Sequence, residues 1–150
     1  MVDVNAFLEA EANKHLPIIE AKDFVKINNG QIKDYYRIGK TIAKVDFGEI
    51  RMCVHRETVA TRSVKVLIKK KLNDDERRML FNEVNILKEM NHPNICTVFD
   101  FFEDEKRYYI VQESCRGNDL FDEILARGRF TERDTAVIIK QLLSCIRYFH

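Results

Sequence analysis

The sequence has no excess of charge of either sign, because its 150 residues include 25 lysines and arginines and 24 aspartates and glutamates. A protein that binds nucleic acid needs surplus cations to neutralise phosphates, so this balance argues against that class. We expect no nucleic-acid partner, and we interpret the basic run at 69–71 as a solvated strand end.

The sequence also lacks long apolar runs and a secretory leader. No stretch approaches the ~20 apolar residues that cross a bilayer. The N-terminus has no basic segment followed by an apolar one, and Val2 after the initiator methionine excludes the usual myristoylation motif. These absences predict a cytoplasmic protein without a membrane anchor.

The cysteines and histidines show no ligand spacing. The four cysteines (Cys53, Cys96, Cys115 and Cys145) form no C-x-x-C pair and lie in apolar or strand-like stretches. They are therefore expected to be reduced thiols rather than a disulfide framework. The histidines have no partners at ligand spacing, so we predict no metal site, and we expect His92 to fasten a loop by hydrogen bonds.

What is present is typical of a folded chain, with 45% hydrophobic and 33% charged residues. Five short runs rich in β-branched and aromatic residues, separated by turn-like gaps, predict strands at 36–42, 49–54, 62–68, 96–101 and 107–112. One helical pattern falls between the third and fourth runs and two follow the fifth, so strands and helices are grouped rather than alternating, which is typical of the α+β class.

Four helices are predicted from their start and stop signals. The first covers residues 1–16 and ends at Pro17. The second opens at Asn73 with carboxylates at 74–76 and stops before Pro93. The third covers 119–127, with Gly128 as its C-cap, and the fourth starts at Thr131, with Asp134 completing a capping box.

Three features follow one another in an order that suits a nucleoside triphosphate. Lys65 lies in the strand R-S-V-K-V, and Glu83 lies 18 residues later in the second helix. The strand ending at 112 then runs into the polar connector that begins at Glu113. A cation, its carboxylate partner and an exposed backbone edge are what such a ligand needs.

These features, with five short phrases in order, resemble the eukaryotic protein kinases, and within them the calcium-dependent protein kinase group. The phrases are N-N-G-Q-I-K-D-Y-Y at 28–36, F-G-E-I-R at 47–51, H-P-N-I at 92–95, F-F-E-D-E-K at 101–106 and L-F-D-E at 120–123. The resemblance implies a partly helical leader at 1–30. It also implies a kinase N-lobe at 31–112, with a five-stranded antiparallel sheet and one helix. Residues 113–150 match the hinge and the first two helices of an incomplete C-lobe.

The resemblance also implies roles for individual residues around ATP. Lys65 matches the lysine that holds the α- and β-phosphates, and Glu83 the carboxylate that aims it. Gln112 matches the side chain behind the adenine. Glu113 is expected to offer its carbonyl to the exocyclic amine, and Cys115 its N–H to a ring nitrogen.

Further positions match the rest of the nucleotide site. Ile50 and Ser63 fall where side chains cover the adenine from above, and Leu120 supports it from below. Asp119 matches the acid that meets the ribose and often an arginine of a peptide substrate. The segment from Ile42 to Gly48 matches the loop that covers the phosphates.

That loop departs from the family pattern G-x-G-x-x-G, since its three positions are Ala43, Val45 and Gly48. A β-branched residue resists positive φ, so Val45 is expected to hold the loop off the phosphates. Val59 stands where relatives place a turn glycine, and Ser63 replaces the customary alanine.

The 150 residues contain neither an H-R-D-x-x-x-x-N segment nor a D-F-G segment. The ligands for Mg2+ and the catalytic aspartate are therefore absent, so these residues alone are expected not to catalyse. No D-x-[DN]-x-[DN]-G loop is present, so calcium would act only through segments outside this sequence.

The complete protein is expected to transfer the γ-phosphoryl group of Mg-ATP to protein serine or threonine near a basic residue. Two alternatives stay open from the sequence. One is a truncated pseudokinase that acts as a binding or scaffold module. The other is an unrelated α+β interaction domain.

Overall fold

The chain is described by a computed structural model at Asn28 and at residues 30–150. The helix predicted at 1–16 lies outside these residues. The elements in chain order are α1 (Ile32–Tyr35), β1 (Tyr36–Val45), β2 (Gly48–His55), β3 (Thr61–Ile68), α2 (Asp74–Glu89), β4 (Val98–Glu103), β5 (Arg107–Gln112), α3 (Leu120–Arg127) and α4 (Glu132–Phe149). The connector from 113 to 119, between β5 and α3, is called the hinge below.

The five strands form one antiparallel sheet in the order β1-β2-β3-β5-β4. The predicted α+β class and all five predicted strands are confirmed, and β5 has the predicted bounds. Strand β1 runs three residues further than predicted, to Val45, because residues 43–45 pair with 48–50 in a tight hairpin. Strand β4 starts two residues later, since Val98 is the first residue paired with β5. The sequence does not predict α1.

Each face of the sheet has its own apolar core, as alternating side chains along β3 and β5 require. Helix α2 covers the first face, which we call the α2 face. Its buried residues are Leu67, Leu72, Leu80, Phe81, Val84, Val98, Phe101, Tyr108 and Ile110. The opposite core contains Ile32 of α1 with Tyr36, Cys53, Val64, Val66, Phe102, Tyr109 and Val111.

The two predicted caps, Gly128 for α3 and the Thr131–Asp134 box for α4, are confirmed, and α2 also begins with a capping box. The side chain of Asn73 accepts from the N–H of Glu76, and the carboxylate of Glu76 accepts from the N–H of Asn73, both at 2.8 Å. Thr131 and Asp134 form the same reciprocal box at the start of α4. Gly128 ends α3 with a φ of 74°, a conformation that glycine adopts without a Cβ penalty.

His92 fastens the loop after α2, as expected, because its Nδ1 accepts from the N–H of Asn94 at 3.1 Å. The same ring also reaches α4, where its Nε2 lies 3.0 Å from the hydroxyl of Ser144. The N–H of Asn91 donates to the hydroxyl of Tyr148 at 3.1 Å. The loop after α2 is therefore bound to one face of α4 by polar contacts.

Among the described residues, no helix combines the length and the apolar character that crossing a bilayer demands.

Valines occupy two turn positions with different consequences. Val59 has a φ of 58° and is the one non-glycine residue at positive φ in the described part of the chain. Val45 does not adopt a positive φ, because it is the extended last residue of β1, opposite Gly48. Its side chain also packs against the apolar core on the α2 face. That Val45 holds the loop off the phosphates stays a prediction.

We predict that Val59→Gly raises the free energy of unfolding by about 1 kcal/mol. A left-handed conformation costs a residue with a Cβ about 1–2 kcal/mol, and the gain in unfolded-state entropy from glycine offsets only part of that. Urea unfolding of wild type and variant measures the difference. Val45→Gly is the matched control, and it should lower stability because it removes a packed side chain. An unchanged or lower stability for Val59→Gly would contradict the argument.

Helix α4 exposes several large apolar side chains on its surface. The side chains of Val137, Leu142, Leu143, Ile146 and Phe149 are each more than half exposed. Exposed apolar surface of this extent favours association.

We predict that the 150-residue chain self-associates at micromolar concentration, because burying each such side chain is worth roughly 1.5–3 kcal/mol. Leu143→Ser with Ile146→Ser should lower the associated fraction in light scattering. Lys140→Ser, on the same helix, should leave it unchanged. A chain that stays monomeric and binds no apolar dye would disprove the prediction.

Candidate functional site

Lys65 and Glu83 line one cavity of about 290 Å³ between β3, α2 and the β1–β2 hairpin. Lys65 is half-buried in β3, and Glu83 is exposed on α2. The ion pairs among the described residues do not include one between these two side chains. The structure therefore places the predicted cation and carboxylate on the same cavity without direct contact.

The tip of the β1–β2 hairpin forms part of the wall of this cavity. Val45, Asp46 and Phe47 contribute to its lining, and the Phe47 carbonyl accepts from the N–H of Ile68 at 2.9 Å. Phe47 also packs against the apolar core on the α2 face. The predicted phosphate-covering loop thus lies against the β3 end of the cavity.

Gly48 is required by the sheet itself. A Cβ at this position would lie 1.8 Å from the carbonyl oxygen of Val66 in β3, a distance that no side chain tolerates. Its φ is not positive, and neither is that of Ala43. The glycine therefore allows β2 and β3 to approach each other at the mouth of the cavity.

The strand register brings most of the predicted nucleotide residues to the α2 face. Ala43 lies opposite Ile50, Ile50 opposite Lys65, and Ser63 opposite Gln112. Directly opposed residues of antiparallel strands point to the same face, and Ser63 and Lys65 are two apart on β3. One continuous patch of the sheet results.

Ile42 and Asp119 lie outside this patch. Ile42 has no partner in the register of β1 with β2, where the pairing shifts, and it is 53% exposed. Asp119 is the N-cap of α3, and its Oδ1 accepts from the N–H of Asp122 at 2.8 Å. Asp119 therefore has a structural role besides the predicted one.

The carbonyl of Glu113, at the start of the hinge, accepts two hydrogen bonds from side chains. The Ser63 hydroxyl donates to it at 2.9 Å and the Cys96 thiol at 3.8 Å. The N–H of Glu113 donates to the carbonyl of Thr97 at 2.9 Å, which fixes the peptide in place. Cys115, two residues further along, is exposed.

Cys96 is a site residue that sequence reasoning missed. Burial raises the pKa of its thiol to about 11, and the neighbouring Cys115 adds to that shift. The thiol therefore stays protonated at neutral pH and keeps the hydrogen that it donates to Glu113. Its position, 17 residues before Glu113 in an apolar stretch, carries no local signal of this contact.

The described residues contain no cluster of three histidine, cysteine or carboxylate side chains arranged to hold a metal ion.

Comparison with known proteins agrees with this arrangement. The family model described as a protein kinase domain matches residues 36–150. Calcium-dependent protein kinase 5 of Plasmodium berghei (strain Anka) is 33% identical over 130 residues, which is 86% of this chain and 23% of the relative. Calcium-dependent protein kinase 4 of Plasmodium falciparum (isolate 3D7) is 38% identical over 128 residues, 85% of this chain and 24% of the relative.

The chain therefore spans about a quarter of the length of these curated relatives. The match covers the sheet, the Lys65–Glu83 cavity, the hinge and both helices that follow, which excludes the alternative of an unrelated α+β interaction domain. The five-stranded sheet with α2 is an N-lobe, and α3 and α4 begin a C-lobe. The chain belongs to the protein kinase family.

Proposed function

We propose that this chain is the ATP-binding portion of a serine/threonine protein kinase that transfers the γ-phosphoryl group of ATP to protein hydroxyl groups. The observation that carries the proposal is the half-buried Lys65 on a cavity that Glu83 also lines. A cation at the edge of a protein interior attracts phosphate more strongly than one in open water.

Phosphate binding requires a rearrangement around this cavity. The hairpin tip must move outward, because Val45 and Phe47 line the space that the phosphates would take. Glu83 must approach Lys65 to aim its ammonium group, which calls for a shift of α2 toward β3. Val45 is not at positive φ, so backbone strain at this position lends the pseudokinase alternative no support.

The hinge would hold the base. Gln112 lies behind it on the α2 face, the Glu113 carbonyl accepts from its amine, and the Cys115 N–H donates to a ring nitrogen. Ile50 and Ser63 cover the base and Leu120 supports it, while Asp119 meets the ribose with the oxygen left free by its cap. We propose 113 as the boundary between the N-lobe and the hinge, and 31 as the start of the N-lobe.

Mg2+, when bound, neutralises the phosphate charge, and its ligands would come from segments beyond this sequence. The protein substrate would present a serine or threonine near a basic residue, for which the exposed Asp119 is the candidate partner. Calcium would act through segments beyond this sequence as well.

We predict that Lys65→Met weakens ATP binding at least tenfold, equal to ~1.4 kcal/mol, since it removes a charge-assisted contact to phosphate. Calorimetry on the 150-residue chain measures the two dissociation constants. Lys70→Met is the matched control, because this exposed lysine lies outside the cavity. Equal affinities for wild type and Lys65→Met would contradict the proposed phosphate role.

We also predict that the 150-residue chain transfers no phosphoryl group to basic serine peptides in Mg-ATP. The sequence contains no H-R-D aspartate to orient the substrate hydroxyl. Radiolabel transfer should equal that of the Lys65→Met variant. Turnover above this background would show that another residue orients the hydroxyl.

A further inference from the structure

Two of the chain's four thiols meet where β4 and the hinge begin. The N–H of Glu113 donates to the carbonyl of Thr97 at 2.9 Å, so the residue before β4 and the first hinge residue are bonded side by side. Cys96 precedes Thr97, and its thiol donates to the Glu113 carbonyl at 3.8 Å. The side chain of Cys115, two residues further along the hinge, lies within hydrogen-bonding reach of the Cys96 thiol.

The other two cysteines have different surroundings. The Cys145 thiol donates to the Asn94 carbonyl at 3.5 Å and lies 3.7 Å from Nδ1 of His92. Cys53 is fully buried in the core on the face opposite α2. Cys115 is accordingly the one cysteine among the neighbours that act on the Cys96 thiol.

The two thiols at the hinge differ in their access to solvent. Cys115 is exposed, whereas Cys96 is partly buried. Burial raises the pKa of the Cys96 thiol to about 11, which keeps Cys96 protonated at neutral pH. An oxidant reacts with an accessible thiolate rather than with a buried thiol, so it reaches Cys115 first. Cys96 is then placed to react with the oxidised Cys115 sulfur.

We propose that Cys96 and Cys115 form a redox-sensitive pair that hydrogen peroxide closes to a disulfide across the start of the hinge. The Cys115 sulfur attacks one peroxide oxygen, the O–O bond breaks, and a sulfenic acid and water form. The Cys96 sulfur then attacks the Cys115 sulfur, the S–O bond breaks, and the departing hydroxide takes up the Cys96 proton as water. Two thiols thus lose two electrons, and one peroxide is reduced to two waters.

Closing this disulfide changes the hinge that the proposed nucleotide site uses. The two sulfurs must move to the bonded distance of about 2.05 Å, and Cys96 then has no hydrogen to donate to the Glu113 carbonyl. Cys115 is drawn toward Cys96, together with the backbone N–H assigned to a ring nitrogen of the base. We expect ATP binding to weaken about fivefold, which corresponds to the loss of one neutral hydrogen bond. This consequence rests on the proposed nucleotide site, whereas the disulfide itself does not.

Peptide mapping tests the disulfide, because trypsin releases each of the four cysteines on its own peptide. The 150-residue chain is treated with hydrogen peroxide, its remaining thiols are blocked, and the monomer from a non-reducing gel is digested for mass spectrometry. The peptide 89–106 should be linked to 108–116 in roughly tenfold excess over any other pair, because thiols in contact have a high effective concentration. Cys115→Ser should abolish this link, and Cys145→Ser, the matched control, should retain it.

Two further measurements follow the reaction and its effect. Cys96→Ser should leave Cys115 as a sulfenic acid that dimedone traps, since no second thiol resolves it. Calorimetry should show ATP binding to wild type about fivefold weaker after peroxide and restored by dithiothreitol, which reduces a disulfide but not methionine sulfoxide. Cys115→Ser should show no such reversible difference.

Three results would count against these statements. A wild-type chain in which Cys96 links to Cys145, or in which Cys115 stays unlinked or links only to other chains, would overturn the pair. A disulfide that leaves the ATP affinity unchanged would overturn its effect on the hinge and leave the proposed nucleotide site standing. Reduced chain that binds ATP no better than Lys65→Met does would overturn the proposed nucleotide site, and the mapped link would still decide the disulfide.

Discussion

The register of β3 against its two neighbours is the constraint on which the rest of the site depends. β3 pairs with β2 on one side and β5 on the other, and its valines are buried on the face opposite α2. A slip of one residue would move Lys65 and Ser63 to that opposite face and bury charge in an apolar core. Burial of Val64 and Val66 therefore fixes which β3 side chains face the cavity, Lys65 and Leu67.

Elements with local signals could be predicted from the sequence, and contacts set by packing could not. The caps of α2 and α4 depend on side chains three residues apart, and β5 is bounded by turn signals. The separation between Lys65 and Glu83 depends on how α2 lies on the sheet, and the hairpin pairing at Val45 replaces an expected open loop. The meeting of Ser63 with Glu113 joins residues 50 apart in sequence, so no local pattern reveals it.

At Gly48 and Val59, the role that the family pattern assigns to the position differs from the physical constraint that the structure shows there. Gly48 occupies a phosphate-loop position, yet the carbonyl of Val66 is what excludes a side chain there. Val59 occupies a turn-glycine position and adopts the left-handed conformation despite its branched Cβ. Steric demands of the sheet and turn geometry act at these two positions, whatever ligand the cavity holds.

The polar attachment of α4 to the loop after α2 makes that end of α2 a pivot. His92 and Asn91 hold the loop to Ser144 and Tyr148, while the opposite end of α2 carries its own capping box. Glu83 lies six residues from the held end, or ~9 Å at the rise of an α-helix. A swing of ten degrees about that end would carry Glu83 through an arc of only about 1.5 Å, whereas the start of the helix would travel more than twice as far. The Glu83 carboxylate would therefore move less than half as far as the first turn of α2 when the helix tilts about its held end.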